Sequence, residues 1–178
     1  DSTFLHAFWF TALFTVVTML LINVLAFLVA LALTRGIKGS NIFRTVFFMP
    51  NLIGGIVLGY IWSMIFDGIL SRYGTSILLN TKYGFWGLVI LLLWQQIGYM
   101  MIIYLAGLTS ISDDYLEAAR VDGARAHHVL FWIALPLIMP SITQCLLLSI
   151  VNCLRMYDLN ISLTNGNPFR MSEAVTMN

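Results

Sequence analysis

The chain has 178 residues, of which 60% are hydrophobic and 10% charged, and its formal net charge is +1. Soluble domains carry about 25% charged residues, so much of this chain must face lipid rather than water. A net charge so close to zero also gives no basis for nucleic-acid binding. The two cysteines, Cys145 and Cys153, share one apolar run, where a straight helix would hold them about 12 Å apart, too far for a disulfide.

Four apolar segments are predicted to span a membrane, at residues 8–33, 45–66, 84–108 and 136–159. The first has no charged residue and is ~39 Å long as a helix, enough to cross a ~30 Å hydrocarbon layer. Asn23 is its main polar residue, and we expect the amide to contact a neighbouring helix rather than form a site. Because the sequence opens without Met and closes on a polar stretch, we expect a fragment that lacks residues at both ends.

Two connections suggest an orientation. Residues 35–44, RGIKGSNIFR, carry three cations and no acid, and short loops of this kind stay on the cytoplasmic side. The first span would then run from outside to inside, and the polar connection at residues 67–83 would lie outside. The second span contains Pro50, Gly54, Gly55 and Gly59, which a membrane bundle tolerates because small residues allow close backbone approach.

The third span carries Gln95, Gln96 and Tyr99 near its middle. Amides at that depth are costly unless they face protein or a water-filled cavity. A hydrogen bond between helices and a role in a solute pathway are therefore both open for these residues.

A polar insert at residues 109–135 separates the third and fourth spans. Ser112 is the predicted N-cap of a short helix that ends at Val121, and Asp113 and Asp114 suit the positive end of its dipole. Gly123 is expected to end this helix with a positive φ.

A second short amphipathic helix is predicted from about Ala124. Its apolar residues toward the membrane would be Val129, Phe131, Trp132 and Ile133. Pro136 is then expected to redirect the chain into the fourth span.

The fourth span has one polar face. At 100° per residue, an arc of ~140° holds Gln144, Cys145, Ser149, Asn152 and Arg155. For Arg155, an outer-end position with the side chain reaching the interface is slightly favoured over ligand contact. Residues 160–178 form a turn-rich outer tail that includes Asn165-Gly166-Asn167-Pro168.

Three motifs together carry a family resemblance. Glu117-Ala118-Ala119, then Asp122-Gly123-Ala124, then Leu135-Pro136 resemble the EAA loop of binding-protein-dependent ABC importer permeases of type I, with a MetI-like transmembrane domain. FRTVFFMPNLIGGIVLGYIW at residues 43–62 is similar to the second core span of the carbohydrate-uptake type. LTNGNP at residues 163–168 is similar to the LT-x-GGP outer turn, with Asn167 where a second Gly is usual.

The resemblance implies an all-α integral membrane protein: a helical bundle with about four spans in this fragment and a cytoplasmic helix-turn-helix coupling loop. It implies one multi-pass transmembrane domain in the bacterial inner (plasma) membrane, with an N-terminal span and a final C-terminal span outside this sequence. The coupling loop would dock into a groove of an ABC ATPase subunit, with Glu117 in contact and Gly123 at the bend.

The resemblance also implies partners and a solute. Two ATPase subunits would bind the ATP, so no cofactor is expected in this chain. A second permease, by resemblance a different chain, and an extracytoplasmic solute-binding protein would complete the importer of a sugar or related small solute. Pathway candidates, whose amides, hydroxyls and aromatic ring suit sugar hydroxyls, are Gln96, Tyr99, Ser149, Asn152 and Arg155.

Two other classes of function compete with this interpretation. An enzyme could use His127 and His128 beside Asp122 and Glu117 as a metal site, but adjacent helical histidines point ~100° apart and no HExxH spacing occurs, so surface histidines are expected. No P-loop occurs either, so ATP hydrolysis would need a partner. A secondary transporter or channel would explain the polar spans without needing the acidic loop, and unchanged ATPase binding after Glu117→Ala together with Gly123→Pro would favour it.

Overall fold

The computed structural model describes residues 2–34, 39–74, 76, 81–155 and 163, in which helices are present and β-strands are not. The predicted all-α fold is confirmed. In chain order the helices are α1 (Ser2–Leu33), α2 (Ser40–Phe48), α3 (Gly55–Leu70), α4 (Thr81–Thr109), α5 (Asp113–Val121), α6 (Ala126–His128), α7 (Leu135–Leu137) and α8 (Met139–Leu154).

The core lies where α1, α4 and α8 pack together. Ile22, Ala26 and Ala30 recur every four residues on α1 and are fully buried, whereas Leu20 and Leu28 on the other side are about half exposed. One helix face therefore meets protein and the other is left for lipid, as expected for a span at the edge of a bundle. By length and apolar composition, 8–33 of α1 and 82–109 of α4 can each cross a membrane alone.

The second predicted span is bent rather than straight. α2 continues into a 3-10 turn at Met49–Leu52, and α3 leaves it at an angle of 101°. Pro50 sits in the 3-10 turn, and Ile53 and Gly54 are extended, so the helix cannot continue through them. α3 then runs on to Leu70 and a 3-10 turn at Ser71–Tyr73, so much of the connection expected at 67–83 is helical.

The turn into the fourth span occurs later than predicted. α6, a π-helical stretch at Val129–Ala134 and α7 are consecutive, and Pro136 lies inside α7. The chain bends by 70° at Ile138, which leaves helical geometry with ψ 11°, and α8 begins at Met139. Pro136 does not break the helix where it stands, because it closely follows the π-helical stretch, and a local π adjustment lets a membrane helix accommodate a proline. α8 ends at Leu154, and the predicted turn at Asn165-Gly166-Asn167-Pro168 lies outside the described residues.

Candidate functional site

The first half of the polar insert is a capped helix, α5. The hydroxyl of Ser112 accepts a hydrogen bond from the backbone N–H of Asp114 at 3.3 Å, and Asp113 and Asp114 occupy the first turn. Both features stabilise a helix start, because they satisfy a free N–H and place negative charge at the positive end of the dipole. The cap, the acids and the end at Val121 agree with the sequence prediction.

α5 ends in a Schellman motif centred on Gly123. The N–H of Ala124 donates to the carbonyl of Ala119 at 2.9 Å, and the N–H of Gly123 donates to the carbonyl of Arg120 at 3.0 Å. Gly123 has φ +77°, the left-handed conformation that this motif requires. The spacing from Ala119 to Gly123 and Ala124 is therefore the spacing that a Schellman motif requires. The Asp122-Gly123-Ala124 part of the EAA pattern thus has a local structural reason, which is to end α5.

The residues of the EAA pattern divide between an outward and an inward side. Glu117, Ala118, Asp122 and Gly123 are exposed, whereas Ala119 is 6% exposed. The outward side presents carboxylates and small residues without bulky cover. This arrangement suits contact with a groove of another protein and leaves the carboxylates free to pair across it.

The second half of the insert is apolar and reaches back toward the bundle. Phe131 and Trp132 are 61% and 79% exposed, as the predicted membrane-facing residues would be, while Ala134 is buried. A cavity of about 480 Å³ lies between the insert and the ends of α1 and α4, with Thr34, Leu108 and Arg120 among its lining residues. The insert and the bundle are therefore not close-packed at this point.

The helices on either side of the insert, α4 and α8, make a close contact. A Cβ added to Gly107, near the end of α4, would overlap the side chain of Ser141, and it would touch Ile138 at 3.5 Å. Ile138 is also the residue at which the chain bends into α8. The two helices that enter and leave the insert therefore touch each other where the insert ends.

A second close contact joins α4 to the bent span. A Cβ added to Gly98 would overlap the backbone carbonyl of Phe47, and Gln95 Nε2 donates to the carbonyl of Ile53 at 3.4 Å. The side chain of Gln95 therefore reaches a carbonyl that the break in the helix leaves without a helical partner. α4 contacts the insert at one end and the bend of the second span nearer its middle.

A buried polar cluster ties the three core helices together. Asn23 on α1 accepts a hydrogen bond from the hydroxyl of Tyr104 on α4 at 2.6 Å and donates to the hydroxyl of Ser149 on α8 at 2.9 Å. Ser149 is fully buried and donates to the carbonyl of Cys145 at 2.6 Å. The predicted helix contact of Asn23 is confirmed, and the hydroxyl of Ser149 is engaged in packing in this structure.

The other pathway candidates lie in different surroundings. Asn152 Nδ2 donates to Oε1 of Gln96 at 3.0 Å, so the structure pairs these two across α4 and α8. Tyr99 is partly buried, and Arg155 is exposed just after the end of α8. Whether any of the five contacts a solute stays a prediction.

The two histidines of the insert, His127 and His128, contact each other without stacking. Their ring centroids are 4.2 Å apart, the ring planes are tilted by 52°, and both side chains are exposed. Within the described ranges, no group of three histidine, cysteine or acidic side chains is arranged to hold a metal ion.

Sequence reasoning missed Tyr104, Gly98 and Gly107. A tyrosine inside a span is a signal for a hydrogen-bond partner, because its hydroxyl cannot be left unpaired in lipid. Glycine inside a span indicates that two helices approach closely. The sequence analysis predicted this for the second span but not for Gly98 and Gly107 in the third.

Comparisons with known proteins agree on one family. The profile of a family described as "Binding-protein-dependent transport system inner membrane component" matches residues 22–176. "Probable starch degradation products transport system permease protein AmyD" of Thermoanaerobacterium thermosulfurigenes is 39% identical over 100% of this chain and 64% of its own length. The "Multiple sugar-binding transport system permease protein MsmF" of Streptococcus mutans is 30% identical over 94% of this chain and 61% of its own length.

A third relative is named for a different solute, and the fold also matches a solved structure. The sn-glycerol-3-phosphate permease protein UgpA of Rhizobium meliloti is 28% identical over 98% of this chain and 63% of its own length. A bacterial ABC transporter for alginate import gives a TM-score of 0.85 at 20% identity and covers 99% of this chain and 66% of that one. The chain spans less than two thirds of the length of these three curated relatives.

Proposed function

This chain belongs to the binding-protein-dependent transport system inner membrane component family, and we propose that it forms half of the pathway of an ABC importer. The family is a transport component rather than an enzyme, and the chain is a multi-pass inner-membrane protein. The solute we propose is a sugar or a related polar molecule, because two of the relatives above are named as sugar or starch-product permeases.

The observation that carries the proposal is the rigid, outward-facing α5 and its bend. Ser112 fixes one end of α5 and the Schellman turn at Gly123 fixes the other, so Glu117 is held on a short element with few soft torsions. We place this element on the cytoplasmic side, where it docks into a groove of an ATPase subunit. The basic loop at 35–44 supports that side by the positive-inside rule.

Coupling requires that a push on α5 reaches the spans. The contact of Gly107 with Ser141 joins the helices on both sides of the insert, and the contacts of Gly98 and Gln95 join α4 to the bent second span. Helices joined by close-packed contacts move as units, because such contacts transmit small displacements rather than absorbing them. A displacement of the insert would therefore shift α4 and α8 together and change the angle at the bend.

The partners follow from the same proposal. Two ATPase subunits hold the ATP, a second permease of different sequence completes the pathway, and an extracytoplasmic solute-binding protein delivers the solute. A solved structure of the same fold is a bacterial alginate ABC transporter in complex with a periplasmic protein bound to an alginate pentasaccharide. For the pathway itself, the paired amides of Gln96 and Asn152, with Tyr99 and Arg155, are the proposed solute-facing groups, and Ser149 would join them only if the Asn23 cluster opened.

The test is copurification of an ATP-hydrolysing subunit with the tagged full-length permease from native membranes. Glu117→Ala should reduce the copurified ATPase while leaving the amount of inserted permease unchanged. The control is Arg72→Ala, an exposed charge in the turn after α3, which should not change the ratio. Absence of an ATPase from the wild-type preparation would favour a secondary transporter or channel instead, and equal ATPase recovery with wild type and Glu117→Ala would contradict the contact proposed for Glu117.

A further inference from the structure

A groove between α1 and α2 has a wholly apolar lining and a cationic neighbour. Its volume is about 330 Å³, and its lining residues are Leu28, Val29, Ala32, Leu33, Phe43 and Phe47. Leu28, Phe43 and Phe47 are each more than a third exposed, so the groove opens to the surroundings of the protein. An apolar groove that opens beside a membrane span is filled by hydrocarbon rather than water.

Two polar side chains share the face of α2 that lines the groove. Ser40, Phe43, Arg44 and Phe47 are spaced at i, i+3, i+4 and i+7, which places them on one stripe of the helix. Within the described part of the chain, the buried Ser40 Oγ and Arg44 Nε have no hydrogen-bond partner. Arg44 as a whole is only partly buried, so the rest of its guanidinium can meet a ligand that Nε cannot, and a guanidinium is best satisfied by a phosphate or a carboxylate.

The groove also lies where the charge-free part of α1 ends. α1 has no charged residue from Phe8 to Leu33, and Arg44 is the cation on the α2 side. A molecule that fits both features needs a hydrocarbon chain for the groove and an anionic oxygen group for Arg44. Basic sites beside transmembrane helices recognise anionic phospholipids by this combination.

We propose that this groove is a binding site for one anionic phospholipid, with an acyl chain against Ala32 and Phe47 and the phosphate at the partly exposed guanidinium of Arg44. The site is separate from the coupling insert and does not depend on the ATPase. A bound lipid would fix α2 against α1 and so hold the helix that leads into the bend of the second span.

The test measures lipid retained by the full-length permease, with its copurifying subunits, in native mass spectrometry after incubation with equal phosphatidylglycerol and phosphatidylcholine. Wild type should retain phosphatidylglycerol preferentially. Arg44→Gln should lower that preference about fivefold, since one cation near lipid phosphate contributes about 1 kcal/mol. Arg44→Lys should keep most of the preference, and the control Arg72→Gln should keep all of it.

A second variant tests the acyl chain apart from the charge. Ala32 is exposed and lines the groove, so the indole of Ala32→Trp should fill it. This variant should lower retention of both lipids without changing the subunits that copurify. The proposal is overturned if Arg44→Gln behaves like Arg72→Gln, or if wild type retains no lipid because another protein segment covers the groove. It is also overturned if inorganic phosphate abolishes the preference while Ala32→Trp has no effect, since that pattern describes a free-phosphate site.

Discussion

Asn152 on α8 donates a hydrogen bond to Gln96 on α4 at 3.0 Å, and it joins two spans that sequence reasoning had marked separately as polar. Interhelical hydrogen bonds in membranes contribute on average about 0.6 kcal/mol and at most about 1.7. We therefore expect a double-mutant cycle of Gln96→Leu and Asn152→Leu, measured by unfolding in detergent, to give a coupling energy in that range. A coupling energy of zero would show that the pair is not formed in the full-length protein.

The Asn23 cluster predicts a stability effect at Tyr104. Tyr104→Phe removes the hydrogen bond to Asn23 at 2.6 Å and leaves a buried amide oxygen one partner short, so the protein should lose about 1 kcal/mol of stability. Tyr83→Phe on the same helix is the matched control, because Tyr83 is 43% exposed. Equal unfolding midpoints for the two variants would show that the hydroxyl of Tyr104 does not stabilise the core.

Gly107 predicts a coupling defect that a second substitution should relieve. Gly107→Ala places a Cβ on the side chain of Ser141, at a cost of about 1–3 kcal/mol or a displacement of α8. We expect solute uptake to fall while ATPase subunits still copurify, and Ser141→Gly in the same chain should restore uptake. Gly68→Ala on α3 is the control, since nothing lies within 4 Å of its added Cβ. Failure of Ser141→Gly to restore uptake would argue against this contact as the route of coupling.

Gly123 and Gly74 form a matched pair of left-handed glycines. Their φ angles are +77° and +68°, and neither has an atom within 4 Å of an added Cβ, so Ala should cost about 1–2 kcal/mol of local strain at either position. Only Gly123→Ala should reduce ATPase copurification and uptake, because Gly74 lies outside the insert. Similar losses from both variants would mean that strain alone, and not the shape of the insert, explains the effect.

The helix start, helix end and bend of the insert could be predicted from the sequence because they depend on neighbouring residues. The hydroxyl of Ser112, the two acids and Gly123 act on the backbone within a few residues, so their effects are visible in sequence order. Pro50 and Gly54 also marked where the second span could break, but the packing of the 101° bend against Gly98 and Gln95 of another helix could not be predicted. A contact between residues so distant in sequence leaves no periodic signal, and the same reason hides the partners of Asn23.

The polar face of α8 shows the other limit. Gln144 and Arg155 lie on the exposed edge of the predicted arc, whereas Cys145 and Ser149 are buried against the bundle. Periodicity predicted one face for all of these residues, but the neighbouring helices cover only one edge of it. The prediction for Pro136 was wrong for a related reason, because a proline that a preceding π-helical stretch accommodates and a helix-breaking proline look alike until the surrounding helix is known.

The position of Glu117 relative to the membrane tests the central claim most directly. Both cysteines of this chain are buried, so Val121→Cys, at an 86% exposed position one helical turn after Glu117, introduces a single accessible thiol in the described part of the chain and keeps the Glu117 carboxylate. We predict that a membrane-impermeant maleimide labels it in inside-out vesicles and not in intact spheroplasts, and that bound ATPase subunits protect it. Labelling in intact spheroplasts, or no protection by the ATPase, would contradict the docking of this insert on the cytoplasmic side.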